Sequence, residues 1–141
     1  MTAAPALVSL ATLWLCMCAT GQASAQGRAK AEVSCRPAGA ELEYDCVIRL
    51  TDAHGKAPVA GATITVGADM PSMPMAHNIR PVKAAPGGEP GLYEVRLELE
   101  MHGVWALRID VSRPLRDRVV VPLQFDENAV RPPGPSPRRT R

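Results

Sequence analysis

Aromatic side chains are scarce in this chain of 141 residues, and neither sign of charge dominates. Phe, Trp and Tyr together make up 4% of the residues. The formal net charge is +2, and residues 131–141 hold four arginines and no acid, so 12 basic residues stand against 14 acidic ones elsewhere. A nucleic-acid-binding domain usually presents a basic face and aromatic platforms for base stacking. We therefore expect a near-neutral domain with a disordered, basic, Pro- and Arg-rich tail, and no nucleic-acid partner.

Sequence motifs that are typical of enzymes are also missing. No Gly-rich phosphate loop follows a strand-like segment, and no nucleophile motif lies between a strand and a helix. The three histidines do not have the spacing of a zinc hydrolase site. Glu94, Glu98 and Glu100 lie on the polar face of one alternating run, which is typical of a solvated surface. We expect a protein that is not an enzyme and has no small-molecule substrate.

The first 25 residues contain no charged side chain. An apolar run covers residues 6–19, and Ala23-Ser24-Ala25 has the small–x–small pattern of a cleavage site. This combination predicts a secretory signal peptide over residues 1–25 and export to the periplasm, although the usual basic residue near the start is missing. The alternative is an uncleaved N-terminal membrane anchor, for which the apolar run is short.

Two of the four cysteines, Cys16 and Cys18, fall within the predicted signal peptide. The remaining two, Cys35 and Cys46, are expected to pair, because two cysteines in an exported chain usually form a disulfide. Closing such a short loop would stabilise the fold by about 2–3 kcal/mol. A thiolate pair for metal or redox chemistry is the alternative, but these two cysteines do not have CxxC spacing.

Helical periodicity is absent, and alternation of polar and apolar residues dominates instead. Strand-like segments occur at residues 32–35, 42–50, 62–66, 78–84, 93–100, 105–111 and 119–125. Seven short strands at regular spacing predict an all-β, seven-stranded immunoglobulin-like β-sandwich over residues 26–130. Trp105 is expected at the centre of the core. Pro122 indicates an edge position for part of the last strand.

Methionine and histidine are concentrated in two short stretches. After the predicted cleavage, every methionine lies in Met70-Pro-Ser-Met-Pro-Met-Ala-His77 or in Met101-His102, and none lies in a strand-like segment. Methionines that fill a core would be scattered among the apolar runs. Thioethers are soft ligands that select Cu(I), and an imidazole adds affinity. The sequence therefore predicts a copper(I) site. Its expected ligands are Met70, Met73, Met75 and His77, completed by Met101 and His102.

Two interpretations without a metal remain open. In one, the Met- and Pro-rich stretch fills and caps the open end of the sandwich. In the other, this end is an apolar contact surface for an envelope or heavy-metal efflux complex. If seven strands alternate in direction, residues 70–77 and the Met101-His102 turn share one end of the sandwich, whereas His54 lies at the opposite end with Arg113 and Arg116. This arrangement requires a strand within residues 78–84.

Several segments together resemble a known family. They are Tyr44–Asp52, the Met70–His77 stretch, Gly91-Leu-Tyr-Glu94 and Gly103-Val-Trp-Ala-Leu107. Over residues 42–126 the chain is similar to YtkA-like domains, a family that overlaps with FixH-type periplasmic proteins. The resemblance implies the same β-sandwich. FixH-type members are associated with assembly of copper-containing respiratory oxidases, and YtkA-like domains occur beside metal-export proteins. The implied partner is therefore a membrane oxidase or a metal-efflux complex. A FixH protein retains a membrane anchor, which the predicted cleavage would remove here.

Overall fold

All seven strands predicted from the sequence are present in the computed structural model, which describes residues 27–135. The predicted signal peptide and residues 136–141 of the tail lie outside the described residues. The strands are β1 (Ala29–Pro37), β2 (Glu43–Asp52), β3 (Thr63–Asp69), β4 (Asn78–Lys83), β5 (Ala85–Pro86), β6 (Leu92–Glu98), β7 (Gly103–Arg113), β8 (Asp117–Phe125) and β9 (Val130–Arg131). The two-residue strands β5 and β9 were not predicted. Residues 27–135 contain no apolar helix of membrane-spanning length.

The strands form two antiparallel sheets, as expected for a β-sandwich. One sheet has the order β1-β2-β6-β5 and the other has the order β4-β3-β7-β8-β9. The chain crosses between the sheets three times, from β2 to β3, from β4 to β5 and from β6 to β7. Strands β2, β6 and β7 bury alternate side chains, because successive residues of a strand point to opposite faces of its sheet. The sequence alternation therefore predicted both the strands and their buried faces.

The core lies between the inner faces of the two sheets. Its largest fully buried side chains are Trp105, Tyr44, Tyr93 and Phe125. The rings of Tyr44 and Phe125 meet edge to face with centroids 4.9 Å apart, so they join β2 of one sheet to β8 of the other. Trp105 is completely buried, which confirms its predicted position.

The predicted disulfide between Cys35 and Cys46 is confirmed. These residues lie directly opposite each other in β1 and β2, with Cα atoms 4.0 Å apart. Cys46 belongs to the buried core, and Cys35 is partly buried against it. The bond joins neighbouring strands of one sheet, so it reinforces a pairing that backbone hydrogen bonds already make.

The fold corrects the sequence interpretation at three positions. Strand β3 continues through Gly67 to Asp69, three residues beyond the predicted segment 62–66. Met70, the next residue, is buried in the core, whereas the sequence interpretation placed none of the methionines after residue 25 in a core segment. Arg131, which the sequence placed in the tail, belongs to β9 and forms an ion pair with Asp126 at 2.8 Å.

The loops lie at the two ends of the sandwich in the arrangement that alternating strand directions predict. Strand β4 exists, so the condition on residues 78–84 is met. Residue Asp69 at the end of β3 pairs with Ala106 near the start of β7, which places residues 70–77 beside the turn between β6 and β7. At the other end, Thr63 pairs with Arg113. His54 follows β2 towards that opposite end, as expected.

Candidate functional site

The connection between β3 and β4, residues 70–77, is called here the methionine loop. Its backbone closes on itself, since the Met70 amide donates to the His77 carbonyl at 3.3 Å. Two turns fill it: the Met73 amide donates to the Met70 carbonyl at 3.1 Å, and the Ala76 amide donates to the Met73 carbonyl at 3.2 Å. A proline follows the first residue of each turn, where its fixed φ is favourable. The loop is therefore ordered by its own backbone.

Met75 occupies the third position of the second turn with a φ of +71°. A positive φ at that position is the mark of a type II turn, which normally takes Gly or Asn there. For a residue with a side chain, this left-handed conformation carries a strain of about 1–3 kcal/mol. The turn also projects the side chain into solvent, and Met75 is 92% exposed. The apolar side chain of Met75 therefore points into solvent, and its backbone conformation is strained.

The four methionines of the described chain divide into one buried and three accessible side chains. Met70 is only 4% exposed, whereas Met73 and Met101 are 39% and 36% exposed. Within residues 27–135, large exposed apolar side chains number six, and Met73, Met75 and Met101 are half of them. All three lie at the same end of the sandwich. Exposed thioethers are therefore concentrated in one place.

Met70 connects the methionine loop to the turn between β6 and β7. Its Cε lies 2.7 Å from the position that a Cβ would occupy on Gly103, the first residue of β7. Gly103 has a φ of +147°, which disfavours side chains. The turn itself is held by Trp105, whose Nε1 donates to the Met101 carbonyl at 3.1 Å. The buried Trp105 thereby fixes the backbone that carries Met101.

A side-chain contact joins the two Met/His stretches directly. Nδ1 of His77 lies 2.5 Å from Oε2 of Glu100. An ionised carboxylate only accepts hydrogen bonds, so Nδ1 carries the proton and donates it. The His77 side chain is 26% exposed and Glu100 is 54% exposed. Since Glu100 immediately precedes Met101, this contact brings the methionine loop and Met101 to one site.

His102 lies apart from this contact. It is exposed and lines a surface depression of about 610 Å³ between the β1–β2 loop and the β8–β9 turn. The other lining residues are Pro37, Gly39, Ala40, Glu41, Glu127 and Asn128. The structure thus brings together Met70, Met73, Met75, His77 and Met101 at one end, while His102 faces the neighbouring acidic depression.

The donor atoms of this end fit a soft ion better than a hard one. Within residues 27–135, no group of three or more His, Cys, Asp or Glu side chains could hold a metal ion. The available donors are thioethers of Met73, Met75 and Met101 together with the imidazole of His77. Thioethers suit Cu(I) and discriminate against hard cations such as Mg²⁺ and Ca²⁺. Cu(I) binding by these side chains stays a prediction from the sequence.

Sequence reasoning missed Glu100. It continues the polar side of the alternation that begins in β6, and it was interpreted as part of a solvated surface. Strand β6 ends at Glu98, however, so Glu100 lies in the turn and contacts His77. The sequence offered one indication of this contact: Glu100 is next to Met101, and the two Met/His stretches were predicted to lie close together.

Comparison with known protein families matches residues 26–110 of this chain, more than half of its length, to the YtkA-like family. No curated protein sequence and no solved structure matches the chain.

Proposed function

The chain belongs to the YtkA-like family, and we propose that it is an exported, non-enzymatic carrier or accessory protein that binds Cu(I) at its methionine-rich end. The supporting observation is the contact between His77 and Glu100, which unites the methionine loop with Met101. Soft donors that are far apart in the sequence thereby lie at the same end of the sandwich. The corresponding role is in copper homeostasis or in assembly of a respiratory oxidase, the role implied by the FixH-type resemblance.

The proposed ligands are the thioethers of Met73, Met75 and Met101 and the free ring nitrogen of His77. Thioethers do not need to lose a proton and do not form disulfides, so they retain their ligand chemistry in an oxidising compartment. Met70 contributes packing, because it is buried against Gly103. The exposure of Met75 lets an ion be exchanged with a partner protein, as a carrier requires.

A Cu(I) titration of the purified protein against a competing chelator, under reducing conditions, tests this proposal. The wild type is compared with a variant in which Met73, Met75 and Met101 are all replaced by Leu. Leucine keeps the apolar character and approximate volume but removes the sulfur. We expect one ion per chain in the wild type and at least a tenfold loss of affinity in the variant. A wild type that cannot compete with the chelator, or a variant that binds equally well, would contradict Cu(I) binding.

The exposure of the same methionines favours a second candidate function, a metal-independent interaction module of an envelope or metal-efflux complex. Flexible, polarisable methionines are common at protein-binding surfaces. The triple Leu variant separates the two functions, because leucine preserves an apolar contact. A partner that is retained by both proteins without copper would favour the interaction module. A partner that is retained only by copper-loaded wild type would favour the carrier.

A further inference from the structure

We propose that Glu100 is a positioning residue that orients His77 and selects its Nε2 as the nitrogen presented to Cu(I). This inference rests on the proposed function and adds a residue and an atom to it. Its geometric basis is the distance of 2.5 Å between Nδ1 of His77 and Oε2 of Glu100. Within residues 27–135, the pair with His77 is the one salt bridge that Glu100 forms.

The contact determines which ring nitrogen can bind an ion. A neutral imidazole carries one proton, on Nδ1 or on Nε2, and the other nitrogen has the lone pair. Because the carboxylate accepts from Nδ1, the proton stays there and Nε2 keeps its lone pair. Histidines that bind metals commonly donate their other N–H to a carboxylate, which fixes the ring orientation and raises the basicity of the ligand. His77 has this arrangement before any ion is present.

The position of Glu100 in the chain gives the contact a second consequence. Glu100 follows the end of β6 and is bonded to Met101, while His77 immediately precedes β4. Met101 is anchored in turn by the hydrogen bond from Trp105 to its carbonyl. The pair therefore holds the imidazole against a turn whose backbone is fixed by the core. Loss of the carboxylate would release the ring and would leave both nitrogens able to carry the proton.

A purely structural role for the pair makes a different prediction. In that case removal of the carboxylate would loosen the methionine loop and lower the stability of the fold. The Cu(I) affinity would not depend on which nitrogen of His77 carries the proton. Glu100→Ala distinguishes the two, because only the positioning role predicts that its Cu(I) affinity falls. Glu100→Gln keeps an oxygen that can accept from Nδ1 although the charge is gone. Glu98→Ala is the matched control, since Glu98 is an exposed acid that ends β6, two residues before Glu100.

The test combines two readouts on the purified full-length protein. Nitrogen-15 NMR of metal-free protein, at a pH where the ring is neutral, reports which nitrogen of His77 carries the proton. Competition titration with Cu(I) reports affinity. We expect protonated Nδ1 in the wild type, Glu98→Ala and Glu100→Gln, and a shift towards protonated Nε2 in Glu100→Ala. We expect Cu(I) affinity to fall about 10-fold or more in Glu100→Ala, less in Glu100→Gln, and not in Glu98→Ala.

The outcomes separate the two proposals. If the wild type does not bind Cu(I), the proposed function fails and this inference fails with it. If the wild type binds Cu(I) but its metal-free His77 carries the proton on Nε2, the role of Glu100 is overturned and the carrier remains. Equal Cu(I) affinity of the wild type and Glu100→Ala would likewise overturn the positioning role alone.

Discussion

The Cε atom of Met70 fills the space in which a side chain on Gly103 would begin, at 2.7 Å from an ideal Cβ position. Met70 directly follows the last residue of β3 and Gly103 begins β7, so this contact closes the end of the sandwich beneath the methionine loop. The methionine is consequently part of the core, and the glycine is required by both space and backbone conformation. The accessible methionines lie at the same end of the sandwich, outside this packed contact.

Replacing Gly103 by Ala is expected to destabilise the protein. The new Cβ would meet the Met70 methyl group, and a φ of +147° is unfavourable for alanine. The methyl group can move aside, but the backbone cannot relax as easily, so we expect a loss of about 1–3 kcal/mol in the free energy of unfolding. Urea denaturation measures it. Gly88→Ala is the control, because Gly88 has open space around it. Equal stability of the two variants would contradict the prediction.

The hydroxyl group of Tyr93 is expected to contribute more to the stability of the fold than the hydroxyl group of Tyr44. The Tyr93 hydroxyl donates to the Val59 carbonyl and accepts from the Ala62 amide, both at 2.7 Å, and so holds the long β2–β3 connection. Tyr93→Phe leaves both groups without this partner, and we expect a loss of about 1–3 kcal/mol in urea denaturation. Tyr44→Phe removes one bond of 3.0 Å, to the Asp126 carbonyl. A larger loss for Tyr44→Phe than for Tyr93→Phe would contradict this ranking.

Loss of the Cys35–Cys46 disulfide is expected to weaken the fold without abolishing it. The bond closes a loop with a sequence separation of 11, which corresponds to about 2–3 kcal/mol in the chain-entropy view. Strands β1 and β2 remain paired through their backbones along the length of β1. We expect the double variant Cys35→Ala/Cys46→Ala to unfold cooperatively at lower urea concentration. The wild type with reduced cysteines should behave similarly, and unchanged stability after reduction would refute the prediction.

The ion pair between Asp45 and Arg96 gives a prediction about pH. Arg96 Nε donates to Asp45 Oδ1 at 2.8 Å, and this hydrogen bond holds the pKa of the Asp45 carboxyl below its ordinary value. Because the folded pKa is the lower one, the pair stabilises the fold above the unfolded pKa of about 3.9, and this contribution disappears as the pH falls through the folded value.

Arg96→Gln is therefore expected to raise the pKa of Asp45 towards its ordinary value, which NMR titration of the carboxyl carbon measures directly. Arg49→Gln is the control, because it removes one positive charge from the outward side of the same sheet and is not a cause of the shift. An unchanged pKa in Arg96→Gln, or an equal rise in both variants, would show that the local hydrogen bond is not responsible.

Most strands could be predicted from the sequence because one face of the strand is buried and the other is more exposed. This physical asymmetry appears in the sequence as alternation, as in β2 and β6, and the directions of the strands then follow from their order. The two-residue strands β5 and β9 have too few residues to show a pattern. Strand β3 continued past Gly67 because pairing with β4 and β7 outweighed the preference of glycine for turns.

The details of the candidate site were harder to predict because they depend on contacts between distant segments. The shared location of the two Met/His stretches followed from topology. Burial of Met70 did not, since it depends on its position just after β3 and on the space left by Gly103. Glu100 continued the alternation of β6 although the strand had ended, so its contact with His77 could be seen only in three dimensions.

The division of the methionines into a buried and an exposed class predicts that substitutions at Met70 and Met75 have opposite effects. Met70→Leu changes the shape of a buried side chain beside Gly103, and we expect a measurable stability loss below about 1.5 kcal/mol with little change in Cu(I) affinity. Met75→Leu alters a side chain that is 92% exposed, so stability should be unchanged while Cu(I) affinity falls. Urea denaturation and chelator competition on the same two proteins measure both quantities. If Met70→Leu weakened Cu(I) binding as much as Met75→Leu did, the buried sulfur would have to be counted among the ligands, and the separation of packing from binding at this end of the sandwich would be wrong.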